Sequence, residues 1–294
     1  MFSLIQSLCT STPTLTETLE QHYLPYARVA PATVDRYRCE LRRWIRFVGD
    51  MQLHRVTEEH FAAFRNACLA RRLSNSSTEG SVKIVKALLR FAKDRGWIKS
   101  LPIFGKPLPL EEPEPEPATI EELSRLYRAA DVARFPARGS VSPAAWMRAF
   151  VVLEYWTGIR GQDLISRFAW QHVREDHIRF RASKTAKRHT FPLCDVVVQH
   201  LRLVHGMDER HVFDTQSLQR VNAELERMCD SAGIRKLTTG HIREACFTQW
   251  TLAGETAGKL VHGCGLPRVF RRHYLGRLQI LNDAAERFAW FDVG

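Results

Sequence analysis

A mainly α-helical chain carrying one small β-hairpin, divided into two modules, is the fold class that the sequence predicts. Three observations carry the prediction. Apolar residues recur at helical spacing along most of the 294 residues. A run of alternating proline and glutamate interrupts them between Leu108 and Pro117, and from about Val173 to Leu193 the period drops to two. A chain of this length also exceeds the usual single compact core, which agrees with two modules.

The first module, residues 1–104, reads as helical throughout. It begins with "TLTETLEQHYLPYA" and continues with "APATVDRYRCELRRWIRFVGD", where Val34, Leu41, Ile45 and Val48 trace one face and Arg36, Arg42, Arg43 and Arg46 crowd the rest. Thr57 in "TEEHFAAFRNACLARR" stands as an N-cap, followed by the acidic residues that helix starts prefer. In "STEGSVKIVKALLRFAKDRGWI" the inward face is Val82, Val85, Leu88, Leu89 and Ala92, and the basic side is Lys83, Lys86, Arg90 and Lys93. Gly96 ends that helix. Each basic face alone is compatible with plain solvation, but several in one small module favour contact with a polyanion.

Residues 105–118, "GKPLPLEEPEPEPA", can neither continue a helix nor join a sheet, and their charges predict a solvated, extended linker. The second module, residues 119–294, opens with "TIEELSRLYRAADVARF" and a capping box in Thr119 and Glu122. In "SPAAWMRAFVVLEYWTGIR", Ser142 caps and Pro143 suits the first turn. Trp146, Phe150 and Leu153 then mark a core helix that stops at Gly158. "GQDLISRFAW" starts a new helix at once, "VREDHIRFRASKTAKRHTFPL" reads as short strands with Lys/Arg-rich turns, and the remainder is helical again.

Composition narrows the function classes. Apolar content of 45% and charged content of 26% are those of a soluble globular protein. The net charge of +11, about +7 in the first module, −3 in the linker and +7 in the second, points to a polyanionic partner, nucleic acid or an anionic surface. No apolar run approaches a membrane span, and "MFSLIQSLCTSTPTL" lacks the features of a signal peptide, so a cytoplasmic, nucleoid-associated protein is expected. Seven cysteines without a C-x-x-C pair argue against both a zinc ribbon and a disulfide framework. No P-loop pattern is present, and neither a metal nor a cofactor is expected.

Four residues could carry chemistry. Arg160, between an apolar helix and the next helix start, can present its planar fork to a phosphate, or pair with Asp163. Lys184 lies in the turn of the predicted hairpin with Lys187 and Arg188. It is either a solvated tip or a proton donor whose pKa is lowered by cationic neighbours and desolvation. Arg243 opens a helix whose Phe247 and Trp250 continue one face, and His241, two residues earlier, is of a type more often structural than catalytic at a helix start. Tyr274, in "RVFRRHYLGRL", is either a core tyrosine or a nucleophile among Arg271, Arg272 and their neighbours. Together these residues suit phosphoryl transfer without a metal. Paired guanidiniums clamp the non-bridging oxygens, the phenol attacks phosphorus, and the lysine protonates the departing oxygen.

The order Arg160, Lys184, Arg243, Tyr274 resembles the tyrosine recombinases, the phage-integrase family. "TGIRGQDL" is similar to the family's T-G-x-R-x-x-E-L box with Asp163 in the acidic place, "SKTAKRHTFPL" to its lysine hairpin, "GHIREACFTQW" to its His-x-x-Arg box and "RRHYLG" to its nucleophile segment. The resemblance covers almost the whole chain. It implies an N-terminal helical core-binding (SAM-like) domain and an α+β catalytic domain, closing on double-stranded DNA. It further implies breakage and rejoining through a 3′-phosphotyrosine at Tyr274, with catalytic Arg160, Lys184, His241 and Arg243. Arg36, Arg42, Arg43, Lys83, Lys86, Arg90, Lys187, Arg188, Arg271 and Arg272 would contact DNA, and four protomers would pair two sites. The aromatic tail "NDAAERFAWFDVG" would dock on a neighbouring protomer or on its own domain.

Two positions depart from the family pattern. Anchored on Arg243, the family histidine falls on Gly240, and His241 is displaced by one residue, roughly 100° on a helix, so it reaches the site only if the turn unwinds at Gly240. Anchored on Tyr274, the family's Gly-His pair becomes Gly263-Cys264, with His262 two residues early. These departures also admit a relative that binds DNA without cutting. A type IB topoisomerase shares the chemistry, but a separate core-binding module favours recombination.

Overall fold

The computed structural model describes residues 12–110, 116–136, 141–184, 186, 188–206, 208–215 and 217–252, and the chain divides between Pro113 and Glu114 into two units. In the first, helices Leu15–Glu17 (α1) and Leu24–Ala27 (α2) flank a π-helical stretch, Thr18–Tyr23. Thr14 and Glu17 form a reciprocal capping box at its start. Pairing of Leu15 N–H with Met51 O and Leu53 N–H with Pro13 O stitches this start to the segment after the long helix Pro31–Val48 (α3).

Helices Glu58–Ala70 (α4) and Asn75–Asp94 (α5) complete the unit. The inward face of α5 is the one its periodicity predicts, with Val82, Val85, Leu88, Leu89 and Ala92 all buried. On α3 the centre differs from the expectation. Val34, Ile45 and Val48 are only half-buried, while Trp44, one turn from Leu41, is fully buried with ring centroids 4.9 Å from Phe61 and 4.8 Å from Phe64. An indole covers more apolar area than any aliphatic side chain, so it takes the middle of the core. As expected, α5 ends at glycine. Gly96 has φ 73°, which lets Trp97 N–H reach back to Ala92 O at 2.9 Å.

Residues 105–107, 109 and 110 of the linker are exposed and form neither helix nor strand, yet its first half is also tied to the first unit. Arg65 and Glu79, nearly buried between α4 and α5, form an ion pair at 2.7 Å. Arg65 also donates to Phe104 O at 2.8 Å, Leu108 N–H donates to Glu79 Oε1 at 3.2 Å, and Asn75 donates to Pro109 O at 2.8 Å. Burial alone would push the Glu79 carboxyl up, but the Arg65 hydrogen bond, the Leu108 amide and the Arg65 charge outweigh it and hold it below its ordinary value. Residues 104–109 are thereby strapped to the first unit.

The second unit contains helices Ile120–Arg128 (α6), Pro143–Thr157 (α7), Gly161–Arg167 (α8), Asp195–Val204 (α9), Leu218–Ala232 (α10) and Thr239–Leu252 (α11), with strands His177–Arg181 (β1) and Arg188–Pro192 (β2). Thr119 with Glu122, and Ser142 with Pro143, cap as the sequence predicts. α7 is buried on every side from Trp146 to Thr157 except at Arg148 and packs against α9 and α11, so it is the spine of the unit. Arg235 clasps Glu122, Glu116 and the carbonyl of Pro117, and Ala118 N–H bonds His241 O, which fastens the chain's entry to this unit as well.

β1 and β2 form one antiparallel hairpin running from the pair His177 and Pro192 to the pair Arg181 and Arg188. Ile178, Phe180 and Phe191 face the core, while Arg179 and Arg181 face out, the alternation that a half-buried strand needs.

Candidate active site

Thr157 and Gly158 close α7. The Thr157 hydroxyl donates to Leu153 O at 2.6 Å and accepts from Ile159 N–H at 3.2 Å. Gly158 turns the chain with φ 58°, and a Cβ there would stand 2.6 Å from the Phe247 ring and 3.0 Å from Cys246 Sγ, so only glycine lets α11 come this close. The turn delivers Arg160 to the N-cap of α8 with extended backbone and a half-buried side chain.

Arg243, in the first turns of α11, reaches the same turn. Its Nε donates to Gly158 O at 2.7 Å, and its guanidinium lies 4.4 Å over the Phe247 ring. The backbone carbonyl fixes one edge of the fork, leaving the planar group oriented rather than swinging on its stem. Two arginine-bearing segments, 83 positions apart in sequence, thus share one turn.

No ion pair joins Arg160 to Asp163. Asp163 is 3% exposed and instead accepts from Ser183 N–H at 3.3 Å, which ties α8 to the loop between β1 and β2. That loop is closed by Ala186 N–H to Ala182 O and by Arg181 Nε to Ala186 O, both 2.9 Å, with Ala186 at φ 55°. Lys184, the residue after Ser183, is exposed, so the protein itself does not supply the desolvation expected of it. Arg188 is exposed on β2, and Lys187 lies outside the described residues.

The turn does not unwind at Gly240, because α11 begins at Thr239. His241 therefore points about 200° around the helix from Arg243. Its Nδ1 accepts from Thr238 N–H at 2.9 Å and lies 3.2 Å from the Thr238 hydroxyl, so the side chain folds back onto the residue before α11 and caps its start. His60 caps α4 in the same way, accepting from Thr57 N–H at 3.1 Å. Tyr274, Arg271, Arg272, His262, Cys264 and the aromatic tail lie outside the described residues.

Sequence reasoning missed Glu154. It stands alone among the apolar residues of α7, fully buried, and that solitary acid in "AFVVLEYWTG" was the available signal. Burial drives its carboxyl well above the ordinary carboxylate range, against the opposing pull of the Arg243 charge and the Gly161 amide.

On the first unit the basic residues split. Arg36, Arg42, Lys83 and Arg90 are exposed, with Arg36 only 3.9 Å from Glu40 and Arg42 donating to Arg38 O. Arg43 is not part of a free basic face, since it donates to Ser77 O at 3.0 Å and Ser81 Oγ at 3.2 Å and so crosslinks α3 to α5. Lys86 is half-buried 5.0 Å over the Phe104 ring, and burial lowers its pKa. Among the described residues, no helix is long and apolar enough to cross a membrane, no group of three His, Cys, Asp or Glu could hold a metal, and Cys39, Cys68, Cys194 and Cys229 are free thiols.

Residues 21–96 match the family described as phage integrase, N-terminal SAM-like domain. The chain is similar in structure to a lambda integrase dimer bound to a COC′ core site, at TM-score 0.74 and 16% identity over 92% of this chain and 100% of that one. A lambda integrase tetramer bound to a Holliday junction matches at TM-score 0.76 and 16% identity, over 93% of this chain and 81% of that one. The Tn1549 transposon integrase in complex with transposon right end DNA matches at TM-score 0.68 and 13% identity, over 89% and 95%. At these identities the likeness establishes the fold, mainly α with a small antiparallel sheet. No curated protein matches the sequence.

Proposed function

We propose that this protein is a site-specific DNA recombinase of the tyrosine type, because residues 21–96 match the phage-integrase N-terminal SAM-like family and the chain is similar in fold to lambda integrase. The observation that carries the reading is the hydrogen bond from Arg243 to Gly158 O, which brings the second arginine to the turn bearing the first. A guanidinium so held beside the turn that bears Arg160 suits a pair of arginines for the non-bridging oxygens of one phosphodiester, where they would offset the charge that develops on phosphorus.

In the proposed reaction the Tyr274 phenol oxygen attacks phosphorus, its proton passing to solvent water, and a 3′-phosphotyrosine bond forms as the bond to the 5′-oxygen breaks. Lys184 donates the proton that the departing 5′-oxygen takes up. The phosphotyrosine conserves the energy of the broken linkage, so attack by a 5′-hydroxyl rejoins DNA without a nucleotide cofactor. Asp163 serves by anchoring the lysine loop through Ser183. Arg36, Arg42, Lys83, Arg90, Lys187, Arg188, Arg271 and Arg272 supply phosphate contacts, with Arg43 and Lys86 in supporting places, and binding weakens steeply with salt. The assembly we carry over from the lambda integrase structure on a Holliday junction is a tetramer on two paired sites.

The test is a duplex nicked just beyond the cleavage point, so that the released fragment diffuses away and the covalent complex accumulates. A denaturation-resistant adduct formed by the wild type and lost in Tyr274→Phe is the expected result. Its absence from the wild type would overturn the enzymatic reading. A second reading, a relative that occupies DNA without cutting it, is favoured by one observation, the commitment of His241 to the helix cap. It predicts that Tyr274→Phe binds DNA as the wild type does and that neither forms an adduct.

A further inference from the structure

Lys86 and Arg90 stand four positions apart on α5, where side chains are neighbours and like charges repel. Among the described residues neither forms an ion pair. Glu79, the acid whose charge acts on Lys86, is already committed to Arg65 at 2.7 Å and to the Leu108 amide at 3.2 Å. Two adjacent cations are thus left without a counter-ion on the helix that carries the basic face.

They meet instead over a ring from the start of the linker. Lys86 Nζ lies 5.0 Å and Arg90 Cζ 5.9 Å from the ring centroid of Phe104. Phe104 is itself fixed, since its ring packs edge-on against the buried Phe61 at 5.3 Å and its carbonyl accepts from Arg65 at 2.8 Å. Lys86 is half-buried beside it, whereas Arg90 is exposed. A solvated basic face would let two such side chains diverge into water, and the shared ring opposes that. The ring's negative face offsets part of their repulsion, but a neutral ring supplies no counter-ion. Burial, then the charges of Arg65 and Arg90, lower the Lys86 pKa, so an arriving anion would relieve the cluster. A phosphodiester, with two charged non-bridging oxygens, has the chemistry to bridge the pair.

We propose that Phe104 is a positioning residue for DNA binding, its ring holding Arg90, with Lys86 behind it, as a seat for one backbone phosphate of duplex DNA. The strapped start of the linker is then part of the binding surface of α5. Asn75 holds Pro109 O and Glu79 holds the Leu108 amide, so the strap that forms the seat also fixes where the chain leaves the first unit. The inference rests on the reading above, in which the chain binds DNA, but it does not require cleavage.

The experiment measures the affinity of the full chain for duplex DNA across a salt series. The variants are Phe104→Leu, Phe104→Tyr, the double variant Lys86→Gln with Arg90→Gln, and that double variant with Phe104→Leu added. Leucine keeps an apolar contact for Phe61 and the carbonyl that Arg65 uses, but it removes the ring face. Phe104→Leu is expected to bind roughly threefold to tenfold more weakly at about 0.1 M salt, with a log–log salt slope shallower by up to about one, the signature of a lost phosphate contact. Phe104→Tyr, which keeps a ring, is expected to recover the wild-type value. In the Lys86→Gln, Arg90→Gln background, Phe104→Leu is expected to have no further effect. An equal loss from Phe104→Leu in both backgrounds would make Phe104 a packing residue of the strap and overturn the inference. Wild-type affinity in Phe104→Leu, or in the Lys86→Gln, Arg90→Gln variant, would also overturn it, and each of these outcomes leaves DNA binding by the chain standing. A wild type that does not bind duplex DNA would remove the reading above and this inference together. Melting curves check that each variant folds, with Phe104→Met in reserve for Phe104→Leu.

Discussion

Asp163 on α8 accepts a hydrogen bond from the backbone amide of Ser183 at 3.3 Å, which joins the segment that carries Arg160 to the loop that carries Lys184. The acid at this position is therefore a tie between the two segments that bear Arg160 and Lys184 rather than a counter-ion for its neighbouring arginine. A charged acceptor bonded to an amide contributes about 1.5–3 kcal/mol when it also fixes position. Asp163→Ala is expected to lower the rate of adduct formation by roughly tenfold to a hundredfold while leaving DNA affinity within about twofold, as read by single-turnover cleavage and filter binding side by side.

Gly158→Ala should destabilise the second unit. The substitution combines a left-handed backbone with a Cβ pressed into Phe247 and Cys246, and about 3 kcal/mol is expected. Differential scanning calorimetry would show the melting temperature of the affected transition lowered by roughly 6–12 °C.

The buried Arg65–Glu79 pair makes a pH-dependent prediction for the first unit. The Glu79 carboxyl is held below its ordinary value, so its contribution is present above the unfolded pKa, near 4.5, and is lost as pH falls through the lower folded one. Glu79→Gln leaves Arg65 buried without its counter-charge and is expected to cost about 3–5 kcal/mol at neutral pH. The difference between wild type and variant should narrow on acidification below the unfolded value, measured as urea midpoints across the acid range.

His241→Ala separates a cap from a proton carrier. Loss of the Nδ1 bond to Thr238 is expected to cost about 1 kcal/mol of stability. The pH profile of adduct formation should keep its shape. A drop of more than about a hundredfold in rate with a lost limb in that profile would instead assign His241 to proton transfer.

Much of the fold was legible because it rests on local signals. The inward face of α5, the stops at Gly96 and Gly158 and the caps at Thr119 and Ser142 each follow from spacing or from one residue's backbone preference. The two-residue period of Ile178, Phe180 and Phe191 likewise announced the hairpin. What escaped depends on partners far along the chain. Arg43 reads as surface charge until α5 offers Ser77 O and Ser81 Oγ, and Asp163 reads as a partner of Arg160 until Ser183 arrives from the hairpin. Trp44 displaced three aliphatic residues from the centre because volume, which periodicity does not register, decides who fills a core. Convergence of Arg160 and Arg243 was implied by motif order, whereas the carbonyl that orients Arg243 belongs to a glycine with no side chain to advertise it.

The fastening of the linker at both ends sets a mechanical limit. Pro109 is held by Asn75 and Glu116 by Arg235, so only the seven Cα steps between them are without a described anchor. Covalent geometry caps their reach at roughly 25 Å. A tether that short converts capture of a common partner by one unit into a nearly unimolecular encounter for the other, at effective concentrations on the order of millimolar. Lengthening the chain between Pro109 and Glu116 would dilute that encounter without touching a single contact surface.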